Sequence, residues 1–228
     1  MRVADYVMTF LASKNVNCIF TVTGGGAIFL CDALGLEKKI KYVACHHEQA
    51  ASIAAEAYAR IKGDVGVALV TSGPGGTNAI TGTAGCWLDH VPQLTISGQV
   101  FSGQTILNHP GLRTKGVQEI NIIDIVKPIT KYAEMITDAS SIKFHLEKAL
   151  YLAKTGRPGP VWLDIPADIQ NKSVDPAALT GFIPDKPDTG VNKLEEMVDQ
   201  IVLLLKRAKR PLIHIGQGIR LAGAEKKL

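Results

Sequence analysis

Val65-Gly66-Val67-Ala68-Leu69-Val70-Thr71-Ser72-Gly73-Pro74-Gly75-Gly76 is the stretch on which the fold turns. From 65 to 70 no polar residue interrupts the run, glycines and a proline then punctuate the chain, and a helical pattern follows to about Leu88. A strand that is apolar on every residue has no face for solvent, so both of its faces must be covered. The same unit recurs. A helix from about Val3 to Ser13 precedes a strand near Cys18 to Val22, the turn Gly24-Gly25-Gly26 and a helix to about Leu34. Strand Ile40 to Ala44 leads to an alanine-rich helix, and Leu94 to Ser97 reads as a further strand. After a long connection from Gly98 to Lys115 come a short helix near Ile120 to Val126, a strand Ile129 to Tyr132, a helix Ser140 to Lys154 and a strand Val161 to Ile165. Apolar strands alternating with helices specify an α/β fold, a parallel sheet with helices on both faces. Ligands of such sheets collect at the carboxyl ends of the strands.

This pattern delimits a first domain over residues 1–170. Prolines and aspartates without periodicity, including Pro184-Asp185-Lys186-Pro187-Asp188, mark residues 171–192 as a linker. Residues 193–228 open a second α/β domain: a helix Lys193 to Arg207, a strand Leu212 to Ile215 and the turn Gly216-Gln217-Gly218. One βα unit cannot bury both faces of its strand, so the chain is expected to stop inside this second, incomplete domain.

With 228 residues, 46% hydrophobic and 20% charged, the chain can bury a sizeable core. Its net charge of +4 is spread over 25 basic and 21 acidic side chains. The one dense basic stretch, Lys206-Arg207-Ala208-Lys209-Arg210, ends an amphipathic helix and complements its dipole. Aromatics at 6% offer no stacking platform, so nucleic acid is not an expected partner. Cys18, Cys31, Cys45 and Cys86 are widely spaced and read as small hydrophobes of a reducing compartment. Cys45, His46 and His47 are adjacent, which does not give tetrahedral ligand spacing, and no metal site is expected. No run approaches a membrane span and Met1 to Asp5 lacks a signal-peptide core, making the cytoplasm the default location.

His46-His47-Glu48-Gln49 precedes the run Ala50 to Arg60, which places a carboxylate at the mouth of a smooth helix that two layers can approach closely. A carboxyl group wedged there loses water, which favours its proton-donating form. The macrodipole also favours a first-turn glutamate as a simple helix-start residue, and these residues alone leave both readings open. The three glycine turns each follow a strand and open a helix, as phosphate binding by backbone N–H groups requires. None completes a dinucleotide fingerprint: Phe29, Asn78 and Leu221 stand where Gly or Ala belongs, and no Gly-Lys-Ser/Thr exists.

Taken together, Gly24 to Ile28, His47-Glu48-Gln49, Glu56 to Arg60, Thr71 to Asn78, Ser97-Gly98-Gln99-Val100, Gln118-Glu119, Pro128 to Lys131 and Thr155 to Val161 resemble the N-terminal part of the acetolactate synthase-like thiamine diphosphate enzymes. The resemblance covers about residues 1–170 and identifies the first domain with the family's pyrimidine-binding domain, while Lys209-Arg210-Pro211 and Gly216-Gln217-Gly218 are similar to the start of its central domain. It implies that Glu48 hydrogen-bonds the aminopyrimidine ring nitrogen of thiamine diphosphate and so promotes loss of the thiazolium proton. It further implies that Gly73, Pro74, Gly75 and Asn78 line the pyrimidine pocket, that Gly25 and Gly26 let the ring approach, and that Gln118 faces the substrate intermediate. For Asn78 a helix-start cap is equally credible, and Gln118 is also readable as an ordinary solvated residue beside Glu119.

The chain departs from the family where Gly24 replaces a proline, His46 an arginine and Val117 a phenylalanine, and the segment Asn108 to Arg113 also differs from the usual acetolactate synthase version. In acetolactate synthases the position of Val117 borders the substrate pocket, so the resemblance leaves the acceptor open between a 2-keto acid such as pyruvate and a cyclic diketone or sugar-derived compound. The alternative of a different class is a non-catalytic α/β binding or interaction module, against which the full His47-Glu48-Gln49 motif argues. The family carries the diphosphate and Mg²⁺ on a third, C-terminal domain with a Gly-Asp-Gly motif, which these residues do not contain; the chain alone is therefore expected to be inactive. The resemblance also implies a homodimer or homotetramer. FAD, which the resemblance admits, is specified by no motif here.

Overall fold

A computed structural model describes residues 1–109, 111–185 and 194–227. In chain order the first unit contains α1 (Val3–Ser13), β1 (Cys18–Thr21), α2 (Ile28–Leu36), β2 (Lys41–Ala44), α3 (Glu48–Lys62), β3 (Gly66–Val70), α4 (Pro74–Asp89), β4 (Gln93–Gln99), α5 (Ile122–Val126), β5 (Tyr132–Met135), α6 (Ile142–Lys154), β6 (Pro160–Pro166) and α7 (Ala167–Gln170). The six strands form one all-parallel sheet in the order β2-β1-β3-β4-β6-β5. Strands β3, β4 and β6 are buried on every residue; β3 is apolar throughout, as a strand covered on both faces requires, whereas β4 and β6 also carry polar side chains into the interior. Against one face, α1, α2 and α6 pack Val7, Leu11, Leu30 and Leu146 onto Leu69, Ile96 and Leu163. On the other, Val70 and Trp162 meet Ala79 of α4 and Ile122 and Val126 of α5, and Ala59 of α3 meets Cys86 of α4.

Small residues let α3 and α4 approach: an ideal Cβ on Gly82 would lie 2.3 Å from Ser52 Oγ. Buried Gln93 ties the layer to the sheet, its Nε2 donating to the carbonyl oxygen of Ser52 at 2.7 Å and its Oε1 accepting from Thr83 at 3.4 Å.

Three expectations are corrected. The strand placed at Ile129–Tyr132 forms instead at Tyr132–Met135, because Pro128 sits in a 3₁₀ turn over Lys127–Ile129 and pairing with β6 begins only after it. β2 is exposed along its whole length at the sheet edge, not covered on both faces. Leu212–Ile215 forms no strand; among the described residues no second strand satisfies its backbone groups.

Contacts divide the chain into residues 1–183 and 184–228. The segment read as linker therefore belongs to the first unit up to 183: Ser173 bridges to Arg2, Val174 N–H donates to the Met1 carbonyl at 2.9 Å, and Leu179 is buried. In the second unit are α8 (Leu194–Arg207) and α9 (Gly218–Leu221). Linker residues 186–192 and the helix start expected at Lys193 lie outside the described residues. No helix among the described residues is long and apolar enough to cross a membrane.

Candidate functional site

Two of the glycine turns lie side by side because β1 pairs with β3. From β1 the chain passes outward to β2 and then returns across β1 to β3, so connections leave in opposite directions between these two strands. A crevice at the carboxyl ends of the strands opens at such a switch point. Here Thr71 Oγ1 accepts from the Gly26 N–H at 3.1 Å, locking the turn after β1 to the turn after β3. A Cβ on Gly26 would meet Ser72 Oγ at 2.7 Å, whereas one on Gly25 would meet nothing within 4 Å. Gly26 is thus required by packing, and Gly25 faces open space. A cavity of about 450 Å³ lies against them, with Gly25, Gly26, Ser72, Gln99, Val117 and Gln118 among its lining residues.

Gln118 reaches this cavity on a strained backbone. Its φ of 59° is left-handed, a region costing a non-glycine residue about 1–2 kcal/mol. Beneath it Gly73, with φ of 59°, leaves no room for a side chain: a Cβ would lie 2.2 Å from the Gln118 carbonyl oxygen. Val117 beside it is 85% exposed, so the residue departing from the family pattern stands free at the cavity wall.

Glu48 occupies the first position of α3, but the side chain that caps the helix is His47, whose Nδ1 accepts from the Gln49 N–H at 3.1 Å. Freed from capping, the half-buried Glu48 carboxyl reaches α4, where Asn78 Nδ2 donates to Oε2 at 2.9 Å. Asn78 is accordingly not the cap of α4; that place is held by Gly73, followed by exposed Pro74 at the first helical position. Glu48 Oε1 lies 3.5 Å from where a Gly75 Cβ would be. Apart from Gly73 and Pro74, the predicted residues therefore fall into two clusters. Gly25, Gly26, Val117 and Gln118 share the cavity; Glu48, Asn78 and Gly75 meet at the first turns of α3 and α4.

Behind the cavity lies a polar group to which the sequence reading assigned no role. Asp164 on β6 is fully buried; Ser97 Oγ donates to its Oδ1 at 2.5 Å and Gln99 Nε2 to its Oδ2 at 3.0 Å. Trp162 Nε1 donates in turn to Ser97 Oγ at 2.8 Å. Burial pushes the Asp164 carboxyl up to about 6, helped by the Glu119 charge and opposed by the two hydrogen bonds. Gln99 Nε2 also donates to the Ile120 carbonyl at 3.0 Å, and Glu119 Oε1 accepts from the Ile106 N–H at 3.2 Å, so this network anchors the segment that carries Gln118. The signal available beforehand was polar residues set among apolar ones, Ser97 and Gln99 after Gln93 and Thr95 in one run and Asp164 in another.

Among the described residues no group of three or more His, Cys, Asp or Glu side chains could hold a metal ion. The four cysteines are free, with Cys86 buried and its thiol pushed far up by burial.

Residues 1–125 match the family described as thiamine pyrophosphate enzyme, N-terminal TPP binding domain. Over the full length the chain is 37% identical to an acetolactate synthase large subunit of Corynebacterium glutamicum, covering 35% of that protein. It is 35% identical over 99% of its length to the acetolactate synthase large subunit of Buchnera aphidicola subsp. Schizaphis graminum, covering 38% of it. With the chloroplastic acetolactate synthase of Arabidopsis thaliana the identity is 34% over 94% of the chain and 31% of the relative. The chain thus spans about a third of the length of these relatives. Matched over more than half its residues and folded as a fully parallel sheet, the chain belongs to the thiamine pyrophosphate enzyme family, of which it carries the N-terminal TPP binding domain.

Proposed function

We propose that this chain is the pyrimidine-binding portion of an acetolactate synthase-like enzyme, which decarboxylates pyruvate or another 2-keto acid and joins the remaining fragment to a second carbonyl compound. The observation that carries this reading is the Glu48 carboxyl: Asn78 donates to Oε2, and Oε1, beside Gly75, accepts no hydrogen bond among the described residues. A carboxyl group fixed at one oxygen and open at the other fits the ring nitrogen of an aminopyrimidine. Thiamine diphosphate supplies an electron sink for the bond to the departing carboxylate. Glu48 would hold a proton against the pyrimidine ring nitrogen, Asn78 would fix its carboxyl, and Gly25, Gly26, Gly73, Pro74 and Gly75 would shape the walls. Gln118 and Val117 would face the substrate and select the acceptor. The described residues offer no carboxylate set for Mg²⁺, which supports placing the diphosphate and its metal on another domain; by the family resemblance, the pocket would be completed in a homodimer or homotetramer.

In the intact protein, Glu48→Gln should slow exchange of the thiazolium proton of bound thiamine diphosphate by about a hundredfold, the range for removing acid–base assistance. Proton exchange followed by NMR measures it, and an unchanged rate with the cofactor still bound refutes the assignment.

A further inference from the structure

Two segments of the family pattern, Pro128 to Lys131 and Thr155 to Val161, take no part in the glycine cavity. The fold brings them together at the amino ends of the strands, the opposite edge of the sheet. Lys131 N–H donates to the Pro160 carbonyl at 2.8 Å, and its Nζ donates to the Thr155 carbonyl at 2.6 Å. Its stem runs over Gly159, where a Cβ would lie 3.2 Å from Lys131 Cδ, so the side chain is held in a defined lane. Across from it α4 ends in Trp87 and the left-handed His90, with φ of 58°. Trp87, His90, Lys131, Arg157 and Pro158 line a cavity of about 260 Å³.

Among the described residues the cationic groups of this cavity have no acidic partner. Lys131 is half-buried against a neutral carbonyl, and burial pushes its ammonium below the ordinary lysine range. Among the described residues neither Lys131 nor Arg157 pairs with a carboxylate, whereas Arg2, Arg60 and Lys154 do. The guanidinium of Arg157 has a planar fork suited to carboxylate or phosphate oxygens. Trp87, 39% exposed, and Pro158 provide apolar plates beside it. We propose that this pocket binds a small organic anion, a carboxylate or phosphate monoester on a flat apolar body, at a site separate from the glycine cavity. The volume suits a ligand smaller than the drug-sized occupants of sites of about 300–1,000 Å³.

The chain has two tryptophans, and Trp162 is fully buried, so a ligand-induced fluorescence change reports on Trp87. The 228-residue chain would be titrated at constant ionic strength with benzoate, phenyl phosphate and inorganic phosphate. Saturable changes with benzoate or phenyl phosphate are expected, and the better of the two identifies the anionic group preferred. They should vanish in Trp87→Phe and weaken about tenfold or more in Arg157→Gln, the loss of one charge-assisted hydrogen bond. Arg157 is exposed, so its variant should melt as the parent does; Lys131→Gln, read in the same way, decides the matter if that variant does not fold. Linear, collisional quenching by every probe overturns the proposal, as does saturation with unchanged affinity in a folded Arg157→Gln chain. Equal affinity for inorganic phosphate overturns the place given to Trp87 and Pro158.

Discussion

Asp164→Asn should change the pH dependence of folding stability as well as its level. The carboxyl of Asp164 has 0% exposure, and burial lifts its pKa from an ordinary 3.8 to about 6. Between those values the folded chain keeps a proton that the unfolded chain has released. The resulting stabilisation is fully present below pH 3.8 and is lost as the pH rises through about 6. A rise of about two units corresponds to about 3 kcal/mol. An asparagine cannot ionise, so the stability of the variant relative to the parent should improve by about 3 kcal/mol between pH 4 and pH 7. The substitution also turns an amide donor toward Ser97 or Gln99, both of which donate to Asp164, and that mismatch costs about 1–3 kcal/mol at every pH. The two effects separate because only one depends on pH. Urea denaturation of both chains, followed by far-UV circular dichroism in steps from pH 4 to pH 7, measures the difference with all other titrations in common. A difference constant across that range refutes the reasoning, since it would mean that Asp164 ionises in the folded chain as it does in the unfolded one.

Gly73→Ala should destabilise the domain by about 2 kcal/mol or more, through its positive φ and the 2.2 Å approach to the Gln118 carbonyl, and should displace the Gln118 segment; thermal melting and backbone amide shifts near 118 check both. Gly82→Val should wedge α3 from α4, where even a Cβ lies 2.3 Å from Ser52 Oγ, at a cost of about 1–3 kcal/mol in urea denaturation. Gly25→Ala is the contrasting case: nothing stands within 4 Å of its Cβ, so stability should change by no more than about 0.5 kcal/mol, and a larger loss would show that the turn is packed more tightly than its geometry indicates.

The strand order was not legible in the sequence, although the strands mostly were. Val65 to Thr71 announces a doubly covered strand because six successive residues lack polar side chains, and the structure buries Gly66–Val70 completely. Ile129 looked like a strand residue for the same reason, but Pro128 and the hydrogen bond from Thr130 Oγ1 to the Val126 carbonyl at 2.9 Å hold it in a turn. Apolar character reports burial, and burial is common to turns, helices and strands; only pairing makes a strand, and pairing involves residues far along the chain.

Glu48 shows the same division at the candidate site. Its place beside the histidines, at the start of an alanine-rich helix, was evident from the residues, but capping and chemistry could not be separated there. The separation came from His47, which takes the cap, and from Asn78, thirty residues on, which takes the carboxylate. Asp164 was overlooked because a single aspartate in Val161 to Ile165 carries no local pattern. Its partners Ser97 and Gln99 lie 67 and 65 residues away and meet it only because β4 and β6 are neighbours in the sheet. By itself the sequence determined the alternation of helices and buried strands and the glycine turns, because these follow from backbone preference and solvent exclusion within a few residues. Tertiary structure alone decided which turns share a cavity, which side chain holds the Glu48 carboxyl, and which carboxyl is shut away from water, because each depends on contacts between residues that only the folded sheet brings within hydrogen-bonding reach.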